Sequence, residues 1–223
     1  MNTPPWSYSG LTSFETCPKR YYHIKVAKDV QDRPGEAAMW GSTVHKHLED
    51  RVRDNKPLPI TIAGYEGLAA MIANAPGTKL VEQQLAVTSG LAPTTWDSTS
   101  AWCRGIVDVG VITYSGRQAM LLDWKTGKRK PDNDQLMLFA GLSFAHYSSL
   151  EKVQTGFVWL KDKKIDKQQF TRKDIPTIWQ HFMPRVERME RAYTKALFPP
   201  KPSGLCKNYC PVKKNQCEFS GAT

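Results

Sequence analysis

The sequence predicts a mixed α/β fold in which a small mixed sheet is flanked by helices. Three observations predict it. The hydrophobic period runs helical, then alternating, then helical again along the chain. Two apolar strands meet across Ser115-Gly116, a turn signal. Regular structure stops at Phe198-Pro199-Pro200-Lys201-Pro202, ahead of a compact tail rich in cysteine.

Taken in order, Ser7 or Ser9 caps a first helix carrying Leu11, Phe14 and Tyr21 at helical spacing. A second helix spans Glu36 to Asn55 with a stripe of Trp40, Val44, Leu48 and Val52, and stops before Lys56-Pro57. Pro57 and Pro59 mark a linker, and a short helix follows near Tyr65 to Asn74. Strands are expected over Leu80–Thr88, Ala101–Tyr114 and Arg117–Lys125. A helix from about Asp132 to Tyr147 places Leu136, Phe139, Ala140 and Phe144 on one side. Val153–Leu160 reads as a buried strand and Ile175–Leu197 as a long helix interrupted by Pro184.

The 223 residues suit one sizeable domain. Lys and Arg total 31 against 21 Asp and Glu, a formal charge of +10, which favours a polyanionic partner but equally fits a solvated basic surface. The start MNTPPWSYSG lacks a cationic segment followed by an apolar one, so no signal peptide is expected. The most apolar run, Leu136 to Ala145, is too short to span a bilayer. A reducing, cytosol-like compartment is expected. There, five cysteines argue for metal binding or plain burial rather than disulfides.

The hairpin carries the chemistry. If Ser115-Gly116 is a two-residue turn, Tyr114 faces Arg117, and counting back along both strands sets Asp108 opposite Asp123. Their Cβ atoms would then lie roughly 4.5–5.5 Å apart. Alternation puts Leu121, Asp123 and Lys125 on one face and Met120, Leu122 and Trp124 on the other. Two facing carboxylates repel, and a divalent cation between them removes the conflict; oxygen ligands suit Mg²⁺ or Mn²⁺. Lys125 is placed to neutralise a phosphoryl oxygen. The alternative is a solvated edge pair with Lys125 as a surface cation, which the apolar neighbours Ile106, Val107, Val109, Leu121 and Leu122 disfavour.

Asp108 followed by Asp123-Trp124-Lys125 resembles the D…(D/E)-x-K core of the PD-(D/E)XK nucleases. The likeness is to the RecB-like branch and to CRISPR-associated and AddB-type nucleases that carry an iron–sulfur cluster, or to a phage exonuclease, and it implies a bacterial, archaeal or phage-infected cell. Further segments match in order: Ser7 to Tyr21, Gly41 to Glu49 around His45, Gly105-Ile-Val-Asp108, Leu122 to Gly127, and Gln135 to Ala140. The resemblance implies a restriction-endonuclease-like core and one nuclease domain over 1–223. Within it come a helical insertion or lid over 36–79 and a tail over 199–223 packing with Cys17.

It implies a catalytic set of Asp108, Asp123, Lys125, His45, Gln135 and Glu82. The metal ligands would be His45, Asp108, Asp123 and the Trp124 backbone carbonyl. Read alone, His45 is an inward histidine of the kind often satisfied in a core, and Glu82 a surface strand carboxylate. Phe139 stands where the family often has tyrosine. Lys128, Arg129 and Lys130 follow the catalytic strand and either hold phosphates or form a solvated loop.

The tail Cys206, Cys210 and Cys217, with Cys17, is similar to the family's four-cysteine iron–sulfur staple; four thiolates suit a 4Fe-4S cluster, and tetrahedral zinc is the alternative. The first gap holds three residues where the family more often has two. Cys103 reads as an ordinary buried thiol. The expected activity is Mg²⁺- or Mn²⁺-dependent hydrolysis of DNA, as an exonuclease preferring single-stranded ends. Trp102 with Trp124, or Tyr21 with Tyr22, are candidate stacking faces for bases, and core packing is preferred for Trp124. The rival is a non-catalytic or accessory nucleic-acid-binding subunit of a helicase–nuclease or CRISPR adaptation complex. Partners under either reading are DNA and recombination, replication or CRISPR adaptation proteins, with no membrane.

Overall fold

The computed structural model describes residues 3–129 and 133–222. The chain divides into two compact units, Met1–Pro34 with His181–Thr223, and Gly35–Gln180. No helix among the described residues is long and apolar enough to cross a membrane.

In the first unit, α1 (Tyr8–Thr16) is capped by Ser7, whose hydroxyl accepts from the Gly10 N–H. Sequence periodicity carried this helix through Tyr21. Instead it ends at Cys17, whose extended backbone (φ −161°) precedes Pro18, and α2 (Pro18–Tyr21) restarts with Pro18 in its first turn. Proline disfavours helical backbone in the residue before it yet fits a helix start, so Cys17-Pro18 punctuates what periodicity reads as continuous. A π-helical turn, Tyr22–Val26, follows. The aromatic centre of this unit is Phe14, Tyr21, Tyr193 and Phe198, with edge-to-face rings. The Tyr21 and Tyr193 hydroxyls pair at 2.9 Å, and burial first, then that pairing, pushes the Tyr21 phenol up. Tyr21 is therefore core rather than a stacking face for bases. Short α7 (Cys206–Tyr209) lies in the tail.

The second unit opens with α3 (Glu36–Asp54), closed by Asn55 in the left-handed region (φ 57°). Val44, Leu48 and Val52 bury against Val109, Leu122 and Trp124 of the sheet, and Ile72 of α4 (Glu66–Ala73) joins them. Trp40, expected on that stripe, is 42% exposed, because the first turns of α3 extend beyond the apolar layer.

The sheet has six strands in the order β2-β1-β3-β4-β5-β6. They are β1 (Thr78–Val87), β2 (Pro93–Thr94), β3 (Cys103–Ile112), β4 (Gln118–Lys125), β5 (Lys152–Trp159) and β6 (Lys164–Thr171). The β4–β5 pair is parallel and the others antiparallel, so the sheet is mixed as expected. Two strands escaped the sequence reading. β2 has two residues, and edge strand β6 reads KIDKQQFT, too polar to register as an apolar run.

Helix α5 (Asp134–His146) crosses between β4 and β5. It is buried on nearly every side from Leu138 to Phe144, not on one stripe. Gly105 permits its close approach: a Cβ there would meet Leu142 Cδ1 at 2.6 Å. The long helix α6 (Ile175–Lys195) runs unbroken through Pro184. The lost N–H costs one backbone bond, not the helix.

Candidate catalytic site

The β3–β4 hairpin has the register anticipated from sequence, with Val109 opposite Leu122 and Ile112 opposite Ala119. Its turn differs. Thr113 N–H donates to Gln118 O, and Gly116 (φ +70°) closes a turn onto Thr113 O, so the loop holds Tyr114 to Arg117. A four-residue loop preserves the pairing of a two-residue one because both strands shorten by one residue.

Continued one step past Val109 and Leu122, the register sets Asp108 beside Asp123, but there the ladder stops. Asp108 Oδ2 instead accepts the Trp124 N–H at 2.9 Å. On the other side of β3, Val81 pairs with Val109 and Gln83 with Val107, while Glu82 and Asp108 between them do not pair. Glu82 takes a left-handed backbone (φ 50°), which a non-glycine residue adopts at a cost of about 1–3 kcal/mol. Three carboxylates from three adjacent strands thus lie in a row where the sheet loses its regular hydrogen bonds.

Burial, then the Asp123 charge, push the Asp108 carboxyl well above the usual carboxylate range. Burial raises Asp123 as well, partly offset by Lys125. Glu82 is raised by burial and by Glu49. Lys125 Nζ stands 2.7 Å from Asp123 Oδ2, close enough for an ion pair but not aligned as a hydrogen bond, so that oxygen is buried without a hydrogen-bond partner. Lys125 also donates to Gln135 Oε1 at 3.0 Å, and Gln135 Nε2 donates to Asp123 Oδ1 at 2.7 Å. Gln135 therefore holds Lys125 and Asp123 in one ring of contacts. Phe157, the β5 neighbour of Asp123, presents its ring 4.8 Å from Lys125 Nζ. Sequence reading missed Phe157, since a parallel neighbour joined through a helix has no spacing signature.

His45 Nδ1 lies 3.2 Å from Asp108 Oδ2. Burial lowers its pKa more than Asp123 and a hydrogen bond to the Trp124 backbone raise it, so the imidazole is neutral near pH 7. Gly41, one turn earlier, clears space: a Cβ there would meet Thr126 Oγ1 at 3.0 Å. Trp124 is 2% exposed and belongs to the core. Arg129 is tied to Asp166 (Nε to Oδ2, 2.7 Å), which also accepts from Trp159 Nε1. Lys128 is exposed, and Lys130 lies outside the described residues.

The structure brings His45, Asp108, Asp123, Lys125 and Gln135 together, with Glu82 level with them on β1. Among the described residues, no three His, Cys, Asp or Glu side chains converge closely enough, as they stand, to hold a metal ion. The donor chemistry nevertheless fits one: a buried and a half-buried carboxylate driven toward protonation, a buried oxygen without a hydrogen bond, and a neutral imidazole beside them.

A family model for the PD-(D/E)XK nuclease superfamily matches residues 5–218. The chain belongs to this superfamily. No curated protein matches it. Among solved structures, a candidate exonuclease from Eubacterium rectale is 13% identical, with 92% of this chain and 86% of that chain covered and a TM-score of 0.56; at that identity the likeness shows the fold. The structure of SSO0001 is 14% identical over 100% of this chain and 89% of that one, and its TM-score of 0.44 carries no argument. The superfamily member is thus a nuclease with a mixed sheet flanked by helices.

In the first unit, Cys17, Cys206, Cys210 and Cys217 all line one small cavity. Backbone N–H groups of Lys201 and Ser203 point at the Cys17 and Cys206 sulfurs, at 3.4 and 3.3 Å. As placed, these thiols too form no metal-holding group among the described residues. Cys103 is fully buried on β3, which pushes its thiol up.

Proposed function

We propose that this superfamily member is a divalent-metal-dependent deoxyribonuclease that hydrolyses DNA from its ends and prefers single strands. The observation that carries the reading is the row of Glu82, Asp108 and Asp123 at the break in the sheet, with Lys125 and Gln135 bound to it. His45, Asp108, Asp123 and the Trp124 carbonyl would hold Mg²⁺ or Mn²⁺. The ion supplies Lewis-acid charge at the scissile phosphate and acidifies water at neutral pH. Lys125, which donates to Gln135 and is ion-paired with Asp123, keeps further N–H donors to offer to an oxygen as negative charge develops there. Gln135 and the Phe157 ring fix the direction of that ammonium. Neutral His45 keeps a lone pair for coordination.

The preference for single-stranded ends rests on the resemblance of the His45 segment to the histidine motif of RecB-like nucleases. The four cysteines around one cavity, with two N–H groups directed at sulfur, support a metal staple, iron–sulfur first and zinc second. The activity test is digestion of end-labelled linear single-stranded, blunt duplex and closed-circular DNA with Mg²⁺ or Mn²⁺. Linear single strands should be shortened fastest. Rapid cutting of closed circles would overturn end dependence, and no cutting of any DNA would leave the accessory-subunit reading in its place.

A further inference from the structure

The first unit contains a groove that the catalytic reading does not use. It has a volume of about 500 Å³ and a floor that includes Phe14 and Leu197, the latter 61% exposed despite its apolar side chain. Arg188, Arg191, Lys195 and Lys201 line it against a single carboxylate, Glu15. That carboxylate is already committed: Arg185 grips both its oxygens at 2.8 Å, while Arg188 reaches it only at 3.4 Å. Arg188, Arg191 and Lys195 follow one another at three- and four-residue spacing along α6. They therefore share one helix stripe, about 10 Å long. Arg191 has only a loose rim contact with Glu187 at 3.5 Å, and Lys195 has no ion-pair partner among the described residues.

We infer that this groove is a second nucleic-acid site that holds the backbone of a single DNA strand, an inference resting on the nuclease reading above. Like charges in a row repel, and a polyanion with phosphates at regular intervals relieves several of them at once. The apolar floor distinguishes the groove from a merely solvated basic face. It offers a desolvated surface for sugar and base faces, which a single strand exposes and a duplex hides. Arginine beside an apolar wall suits phosphate, because its planar fork is weakly hydrated and binds two oxygens.

The test uses the full-length protein without added divalent metal and a fluorescein-labelled 30-nucleotide oligo-dT, with affinity measured from 50 to 300 mM salt. The comparison is Arg191→Glu with Lys195→Glu, a double change at exposed positions whose thermal melting should match wild type. Affinity at 100 mM salt should fall at least tenfold. The log–log salt slope of the neutral Arg191→Gln, Lys195→Gln pair should be shallower by about 1.4, two contacts at about 0.7 each. With metal restored, KM for long single strands should rise while kcat is unchanged. Wild-type affinity and slope in both double variants would overturn the groove and leave the nuclease reading standing. Equal binding of poly-glutamate, lost with the same variants, would make the groove an acidic-peptide site and overturn the inference. Groove-dependent binding of oligo-dT with no cleavage under any metal would sink the nuclease reading while the groove survived.

Discussion

The carboxylate row and the cysteine cavity are assembled in opposite ways. Asp108 and Asp123 stand on neighbouring strands inside a sheet, and Trp124 N–H, Gln135 and Lys125 already fix them. The four thiols come from a helix break at Cys17, a four-residue helix and a tail, held by two backbone N–H contacts to sulfur. The first site keeps its order by virtue of the strands beneath it. The second is built from segments too short to be stable alone, and under the proposed staple a metal on its sulfurs would supply part of its order. Strands beneath a site can therefore hold mutually repelling groups side by side, whereas a site built from short segments would lean on whatever bound to it.

The sharpest break between the two regions should come from Asp123→Ala. It should reduce metal-dependent cleavage by about 10³-fold or more, in the range of a lost transition-state electrostatic contact, with unchanged circular dichroism. A wild-type rate would dismantle the site. Cys217→Ala should act the other way, through stability. Loss of a metal staple is worth several kcal/mol, so melting should drop by about 10 °C, together with any visible absorbance or bound zinc. Unaltered melting and no metal in the wild-type protein would remove the staple.

A smaller effect should follow Gln135→Ala. It frees both Lys125 and Asp123 from charge-assisted bonds worth about 1.5 kcal/mol or more each, and should slow cleavage roughly tenfold while leaving KM alone. A raised KM with normal kcat would instead make Gln135 a binding residue.

The smallest shift sharpens the claim of stored repulsion. The folded Asp108 carboxyl titrates above its unfolded value, so its stability contribution is full below about pH 4 and is lost as pH rises through the folded pKa. Without divalent metal, Asp108→Asn should therefore raise the melting temperature at pH 8 by about 2–4 °C, the effect of 1 kcal/mol in a chain this size. At pH 4 it should raise it much less. Equal gains at both pH values would show that charge is not the cause.

Much of the site was legible because the strand period is two and the hairpin fixes its own register, so Asp108 and Asp123 followed from counting. His45 was singled out by the resemblance of Gly41 to Glu49 to the family's histidine motif; its helix face alone read as ordinary core. The rest was hidden for identifiable reasons. Trp40 continues that stripe in sequence, yet α3 outruns the layer it packs on, and periodicity does not say where a partner ends. The polar edge strand β6 has one face without a core to report it. The interruption of the carboxylate row depends on a side chain, Asp108, taking a backbone N–H that strand patterns assign to the ladder.

Glu82 carries a consequence for anyone redesigning this chain. Its left-handed backbone is one that glycine enters freely and asparagine tolerates, so substitutions ranked by folding free energy alone would favour replacing it. The sheet would relax and the melting point would rise. The carboxylate level with Asp108 and Asp123 would be gone, and a library selected only for heat resistance would drift toward a sturdier protein with one acidic group fewer in its row.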